Sequence, residues 1–293
     1  MEKFMPLLMT GIAQGSIIAI TALGFLLIYK ATGVVNFAQG DFSTLGAYVA
    51  VWATTKHGWS LPTAWILAIV VLFIIGALIE RIAYAPLRGR SVHVVVISTL
   101  GAALIIQAAI VRWMGPLPYS LRSPFPVREQ TVTWFGARIP KQNLLIIGAT
   151  IVCVVLLILL FQKTQFGRQV RALASDRQVA QLQGVRTTWM SMLTFGMSAA
   201  LSAFAGVLIA PTRSVTVELG FGVMLYAFAA AILGGMGNLV GVVVAALAIG
   251  LVRQFGAGYI SSTYAEIFPF LLMLVVIAAK PQGLFGGESR ARL

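Results

Sequence analysis

The chain has 293 residues, of which 59% are hydrophobic and only 10% charged, with a mean hydropathy of +0.93. Soluble domains carry roughly one-quarter charged residues, so a soluble globular class is excluded and an integral membrane protein is indicated. The net charge is +13, yet Lys and Arg sit in short loops between apolar runs rather than on one polar face, which argues against nucleic acid and for anchoring to membrane lipid. A single Cys153 inside an apolar run supports neither a disulfide framework nor a Cys-based metal site within the chain.

A spanning helix needs about 20 mostly apolar residues. On that measure the candidate spans are 6–29, 36–55, 62–80, 93–111, 143–161, 189–210, 221–235, 238–252 and 264–279. The second, seventh and eighth are short or Gly-rich enough to be partial or re-entrant helices. The expected fold is all-α: a polytopic membrane protein of about 8–9 transmembrane helices, some short or broken. No Pro/Ser-rich linker or composition shift divides it, so residues 1–293 are expected to form one membrane domain. The first run, "MEKFMPLLMTGIAQGS", lacks a strongly basic start and a small-residue cleavage site and is expected to stay as a span. Its Gly11 and Gly15 form a small-xxx-small face, read first as helix packing and second as a dimer contact.

The stretch "GVVNFAQGDFSTLGAY" carries Asn36, Gln39 and Asp41 into this apolar setting. An ionisable side chain at membrane depth costs at least ~2.5–3.5 kcal/mol, so Asp41 is expected to face a cavity, a partner or the interface. Two readings stay open. In one, Gly33 breaks the first helix, Asn36 caps the next and Asp41 sits favourably in its first turn. In the other, the three side chains line a pathway.

Further along, the segment 112–142 contains Pro116, Pro118, Pro124, Pro126 and Pro140 and is expected to be a small structured external loop. If the loops with Arg88 and Arg168 are cytoplasmic, that side holds Lys30, Arg81, Arg88, Arg90, Lys163, Arg168, Arg171, Arg177, Arg186, Lys280, Arg290 and Arg292. The other side holds Lys3, Lys56, Arg112, Arg122, Arg128, Arg138, Lys141, Arg213 and Arg253. The excess is small, but most of the opposing charge lies in the long segment 112–142, and long loops count less in the positive-inside rule.

Between two spans, at about 162–188, "RQVRALASDRQVAQLQG" sets Val170, Leu173, Ala174, Val179, Ala180 and Leu182 among Arg, Gln and Asp. This is a short amphipathic helix or helix pair, with Gly184 suited to the C-terminal cap. It either lies on anionic lipid or docks a soluble partner. Later, "AAAILGGMGNLVGVVVAA" breaks an apolar run with Gly234, Gly235, Gly237, Asn238 and Gly241. Its glycines do not match G-x-G-x-x-G and no strand precedes them, so it reads as a tight helical turn, with a ligand-contacting loop as the alternative. No catalytic constellation is visible. His57 and His93 are isolated, and there is no G-x-x-x-x-G-K-[ST] phosphate loop, so any nucleotide hydrolysis must belong to another polypeptide.

Four blocks, "GSIIAITALGFLLIYKATGVVNFAQGDFSTLGAY", "ERIAYAPLRGRSVHVVVISTLGAALIIQ", "FGRQVRALASDRQVAQLQGV" and "AAAILGGMGNLVGVVVAALAIGLV", closed by "KPQGLFG", carry a resemblance over almost the whole length. The chain resembles the permease subunits of branched-chain amino acid ATP-binding-cassette (ABC) importers, the LivH type. The resemblance implies a multi-pass protein of the bacterial inner membrane that is not itself an enzyme and holds no cofactor. Its implied partners are a second, LivM-like permease subunit, two cytoplasmic ATPases that bind ATP, and an extracytoplasmic solute-binding protein. It also turns the amphipathic segment into a coupling element for the ATPase, with Gly167, Arg171, Ala172, Ala174, Asp176 and Gly184 as candidate residues. Asn36, Gln39, Asp41, Gly234, Gly235 and Asn238 become candidates for the translocation pathway. Relatives with the same blocks import urea, short amides or other amino acids, so those substrates stand as alternatives. A self-sufficient secondary transporter or channel built on Asp41 is the rival from another class. It leaves the amphipathic segment without a purpose. A membrane-embedded enzyme is weaker still, with no paired acids, activated nucleophile or metal cluster.

Overall fold

The computed structural model describes residues 3–125, 130–134 and 137–286. Pro126 and Arg128 of the external loop, and Arg290 and Arg292 of the C-terminal charge group, lie outside the described residues.

Helix α1 (Phe4–Thr32) is apolar on every side, and a helix without a polar face is stable only where every side meets protein or lipid. It meets protein. Helices α5 (Lys141–Lys163), α8 (Thr187–Ile209), α9 (Leu219–Gly234) and α10 (Leu239–Phe255) surround it, and 89% of its most apolar stretch is buried. Close approach to α10 depends on glycine: a β-carbon at Gly15 would collide with Leu247, and one at Gly250 with Gly15 itself. The small-residue face of α1 is therefore used inside the chain.

Helix α1 ends at Gly33, whose φ of 72° only glycine adopts without strain. The chain runs back without helical structure, and α2 (Gln39–Val51) starts with Gln39 against Gly24. That point lies about 12 Å inside the end of α1, eight residues at 1.5 Å each. Helix α2 continues as a π turn, Trp52–Lys56. Helix α3 (Leu61–Ile79) likewise runs on through the π turn Glu80–Tyr84 and a 3₁₀ turn, Ala85–Leu87, and α4 spans Val92–Met114.

The loop after α4 departs from an all-helical reading. Strands β1 (Thr131–Trp134) and β2 (Ala137–Pro140) pair antiparallel, with Thr131 opposite Pro140 and Val132 opposite Ile139. The β-branched residues of "TVTW" and "ARIP" suit a short hairpin, which satisfies backbone groups where no helix can form. Tyr119 and Val215 exchange backbone bonds of 3.0 and 2.7 Å, tying this loop to the α8–α9 connection. Beyond α5 come α6 (Gln165–Ser175), α7 (Arg177–Leu182) and, after α10 and its π turn Gly256–Ile260, α11 (Phe268–Ala279).

Among the described residues six helices are long and apolar enough to cross a membrane: α1, α3 through Leu87, α4, α5, α8, and α10 through Ile260. The expected short second and seventh segments are short, at 13 and 16 residues. The eighth is not, because the π turn lengthens α10 to a span of 22 residues. The ninth, α11, is short as well, with 12 residues.

Helices α2 and α9 start against each other: Gly40 and Gly220 touch through their backbones, and Gly220 N–H donates to Thr44 Oγ1 at 2.9 Å. Small residues also let α2 and α3 lie on α8, through Gly46 on Ala203, Gly206 on Ser43 and Gly76 on Ala199. Large apolar side chains point outward from the peripheral helices instead, as at Ile66 and Ile74 of α3, Ile97 and Leu104 of α4, Leu156 of α5 and Leu274 of α11. This is a lipid-facing surface.

Candidate functional site

Asn36, Gln39 and Asp41 surround the start of α2, and the structure encloses all three, at 1%, 0% and 6% exposure. Gln39 Nε2 donates to Ser202 Oγ at 2.6 Å and to the Ser198 carbonyl at 3.3 Å, while its Oε1 lies 2.8 Å from Ser198 Oγ. Ser198 Oγ is also 2.7 Å from the Gly24 carbonyl. The amide thus joins α1, α2 and α8. Asp41 Oδ1 accepts from Gln107 Nε2 of α4 at 2.8 Å. Two helix N-termini, of α2 and α9, meet beside it, and their exposed peptide dipoles favour a negative group there.

Asn36 is not the cap of α2. The cap position is Ala38, and Asn36 Oδ1 instead accepts from Ala38 N–H at 3.1 Å, closing a turn one step earlier. Its Nδ2 is buried without a hydrogen-bond partner among the described residues. Neighbouring Phe37 N–H reaches Thr99 Oγ1 of α4 at 3.3 Å.

Gly234, Gly235 and Asn238 stand elsewhere, at the far end of α9 from Gly220, about 21 Å along the helix at 1.5 Å per residue. Gly235, at φ 85°, makes the turn, and Asn238 Oδ1 caps α10 by accepting from Val240 and Gly241 N–H at 3.0 and 3.1 Å. A β-carbon at Gly234 would meet the backbone of Gly241. The segment after α11 closes over this turn, with Leu284 N–H on the Leu233 carbonyl at 2.8 Å.

The helix pair α6–α7 is built by its caps. Thr164 Oγ1 accepts from Gly167 N–H at 3.3 Å, and Gly167 lies on the backbone of Phe161, where a β-carbon has no room. Arg171 Nη1 donates to the Phe161 carbonyl. Asp176 ends α6 and caps α7, accepting from Gln178 and Val179 N–H at 2.8 and 3.0 Å. Gly184, at φ 81°, ends α7, with Val185 N–H on the Ala180 carbonyl at 3.0 Å.

Val170, Leu173 and Ala180 are buried, Ala172 half-buried, and Ala174 and Asp176 exposed. Val179 and Leu182 also face outward, Leu182 at 88% exposure. The break at Asp176 sets α7 in a new phase, so of the expected single helix or helix pair the segment is the pair. A groove of about 580 Å³ lies between this pair and the end of α1, lined by Lys30, Gly33, Ala174, Asp176, Arg177 and Gly237.

Gln107, Ser198 and Ser202 were not singled out in the sequence. Gln107 had a signal, a lone amide in the apolar run "GAALIIQAAIV". The serines had none, since hydroxyls are ordinary in membrane helices.

A bundle with outward apolar faces, half-helices meeting inside it and a capped amphipathic pair at one end defines a polytopic membrane protein. A family model described as branched-chain amino acid transport system / permease component matches residues 7–277, and the chain belongs to that family. It is 30% identical to the high-affinity branched-chain amino acid transport system permease protein LivH of Escherichia coli K12, covering 97% of this chain and 96% of the relative. It is 31% identical to the corresponding permease protein BraD of Pseudomonas aeruginosa, with 97% and 96% covered. Against a probable LivH of Methanocaldococcus jannaschii it is 28% identical over 94% and 90%. Among solved structures, PsaBC from Streptococcus pneumoniae in complex with Fab shares the fold at a TM-score of 0.50 and 13% identity, covering 92% of this chain and 90% of that one.

Proposed function

We propose that the chain is the membrane-spanning subunit of an ABC importer that carries a branched-chain or related amino acid inward across a bacterial inner membrane. The single observation that carries the reading is the family match along nearly the whole chain. ATP is bound and hydrolysed by two cytoplasmic ATPase partners, a LivM-like second permease completes the conduit, and a solute-binding protein delivers substrate from outside. The α6–α7 pair is the ATPase-docking element. Its buried Gly167, Val170 and Leu173 fix it to the bundle, while Ala174, Asp176 and the outward Val179 and Leu182 form the face presented to the partner.

Asn36, Gln39 and Asp41 line the conduit only when α2 parts from α8 and α4; the Gln39–Ser198–Ser202 and Asp41–Gln107 bonds keep it shut. The turn at Gly234, Gly235 and Asn238 conveys motion from the docking side to α9.

Reconstitution in proteoliposomes tests the reading. Leucine uptake is expected only with ATP and all partner subunits, and uptake at full rate by the chain alone on an ion gradient would overturn it. Ala174→Glu adds bulk and charge on an exposed face, so the chain should insert normally while uptake is lost and ATP hydrolysis continues uncoupled. Intact ATP-driven uptake in that variant would return α6–α7 to a lipid-anchoring role.

A further inference from the structure

At the end of the bundle opposite α6–α7, a cavity of about 60 Å³ lies between α1, the end of α8, the first turns of α9 and the end of α10. One water needs roughly 10–15 Å³ on the same measure, so the space admits several waters or a small branched group. Its two walls differ in chemistry. One is aliphatic: Ile17, Ile209 and Val223. The other carries Gln14, Tyr226, Arg213, Arg253 and Glu266, an unusual gathering in a chain with so few charges.

Arg253 is held in place. Its Nη1 donates to Gln14 Oε1 at 2.6 Å, its Nη2 lies 3.6 Å from Glu266 Oε1, and its guanidinium sits 5.6 Å from the centre of the Tyr226 ring. Its Nε–H is buried with no hydrogen-bond partner among the described residues. Arg213 makes no hydrogen bond or ion pair among the described residues. Glu266 stands at the rim, 75% exposed and too far from Arg253 for a hydrogen bond, so its oxygens stay open to a cation.

A buried N–H without a partner is costly and is repaid by an acceptor that arrives with a ligand. Two guanidinium groups and one carboxylate at the mouth of an aliphatic cleft match one chemical class: an α-amino acid zwitterion with a branched aliphatic side chain. We propose that this cavity is the first membrane contact for such an amino acid on the outer side. Arg213 and Arg253 Nε take its carboxylate, Glu266 its ammonium, and Ile17, Ile209 and Val223 its side chain. The proposal rests on the importer reading for its direction and names that reading's substrate-contacting residues. A simple anion would need no carboxylate at the rim, and a cation would not sit between two arginines.

Gly222 lines the same cavity and a β-carbon there meets nothing within 4 Å, so Gly222→Cys is a reporter that leaves packing intact. In membranes from cells producing the full chain with Cys153→Ala and Gly222→Cys, L-leucine should slow alkylation by a water-soluble maleimide. Leucinamide, lacking the carboxylate, and 4-methylpentanoate, lacking the ammonium, should not. Arg213→Gln and Glu266→Gln should each weaken the leucine protection about tenfold or more, as loss of a charged hydrogen bond predicts, with the unprotected labelling rate unchanged to show an intact fold. Equal protection by all three compounds, no protection by leucine, or full protection in Arg213→Gln would each overturn the site. ATP-driven leucine uptake by the complete complex is measured alongside. Its absence would overturn the importer reading, whereas uptake without leucine protection at Gly222→Cys overturns the site alone.

Discussion

Gln39 shows what lets an amide live in an apolar bundle: each half of it has a partner on α8, at Ser198 and Ser202. Gln39→Ala would leave those hydroxyls buried without it, a loss of about 1–3 kcal/mol, read as a lower thermal midpoint in detergent and a smaller folded yield. Asp41→Asn differs. An asparagine still offers an oxygen to Gln107, so folded abundance should hold, while transport falls if the conduit needs the charge. Unchanged turnover together with lower abundance would make Asp41 a packing group. The polar trio was legible because Asn, Gln and Asp stand out against apolar neighbours. Its partners were not, because Gln107 is 66 positions from Asp41 and Ser198 is 159 from Gln39, and only tertiary packing selects them.

Helices announce themselves through runs of apolar residues, and every candidate span has a helix at its place. Their ends are another matter. The π turns that extend α3 and α10 follow no pattern of hydropathy, and that is why the eighth segment proved long enough to span. One of these turns also holds a buried ion pair. Glu80 has 0% side-chain exposure and pairs with Arg88, which also donates to Thr188 Oγ1 at 3.1 Å at the start of α8. Glu80→Ala strands the guanidinium and should cost about 3–5 kcal/mol. Glu80→Ala with Arg88→Met should recover most of that loss, as measured by thermal midpoint and yield. No recovery would mean that Arg88 matters through Thr188 alone.

Across the whole molecule, basic residues gather at two opposite ends. Lys30, Arg81 and Arg177 collect with α6–α7, whereas Arg213 and Arg253 collect at the opposite end. The sequence could show that α2 and α9 were short. It could not show that their first residues touch, because that meeting depends on Gly40 and Gly220 arriving from separate parts of the chain. The same holds for the cavity at Arg253, assembled from α1, α8, α9 and α10, no two of whose polar residues share a motif.

The placement of α1 bears on how the protein is made. The helix that ends at the centre is translated well before α8 and α10, which enclose it. Until then the sides of α1 that α8 and α10 will cover face lipid, a state that its all-round apolar surface suits. When its neighbours arrive, acyl chains are exchanged for protein at no hydrophobic gain, so the closeness permitted by Gly11, Gly15 and Gly250 must supply the attraction. Gly15→Leu should therefore yield a chain with every span threaded in its proper direction and the bundle unclosed: full insertion by glycosylation or cysteine mapping, and rapid proteolysis of connections that the native protein shields. A Gly15→Leu chain as resistant as the native one would show that assembly draws its attraction from elsewhere.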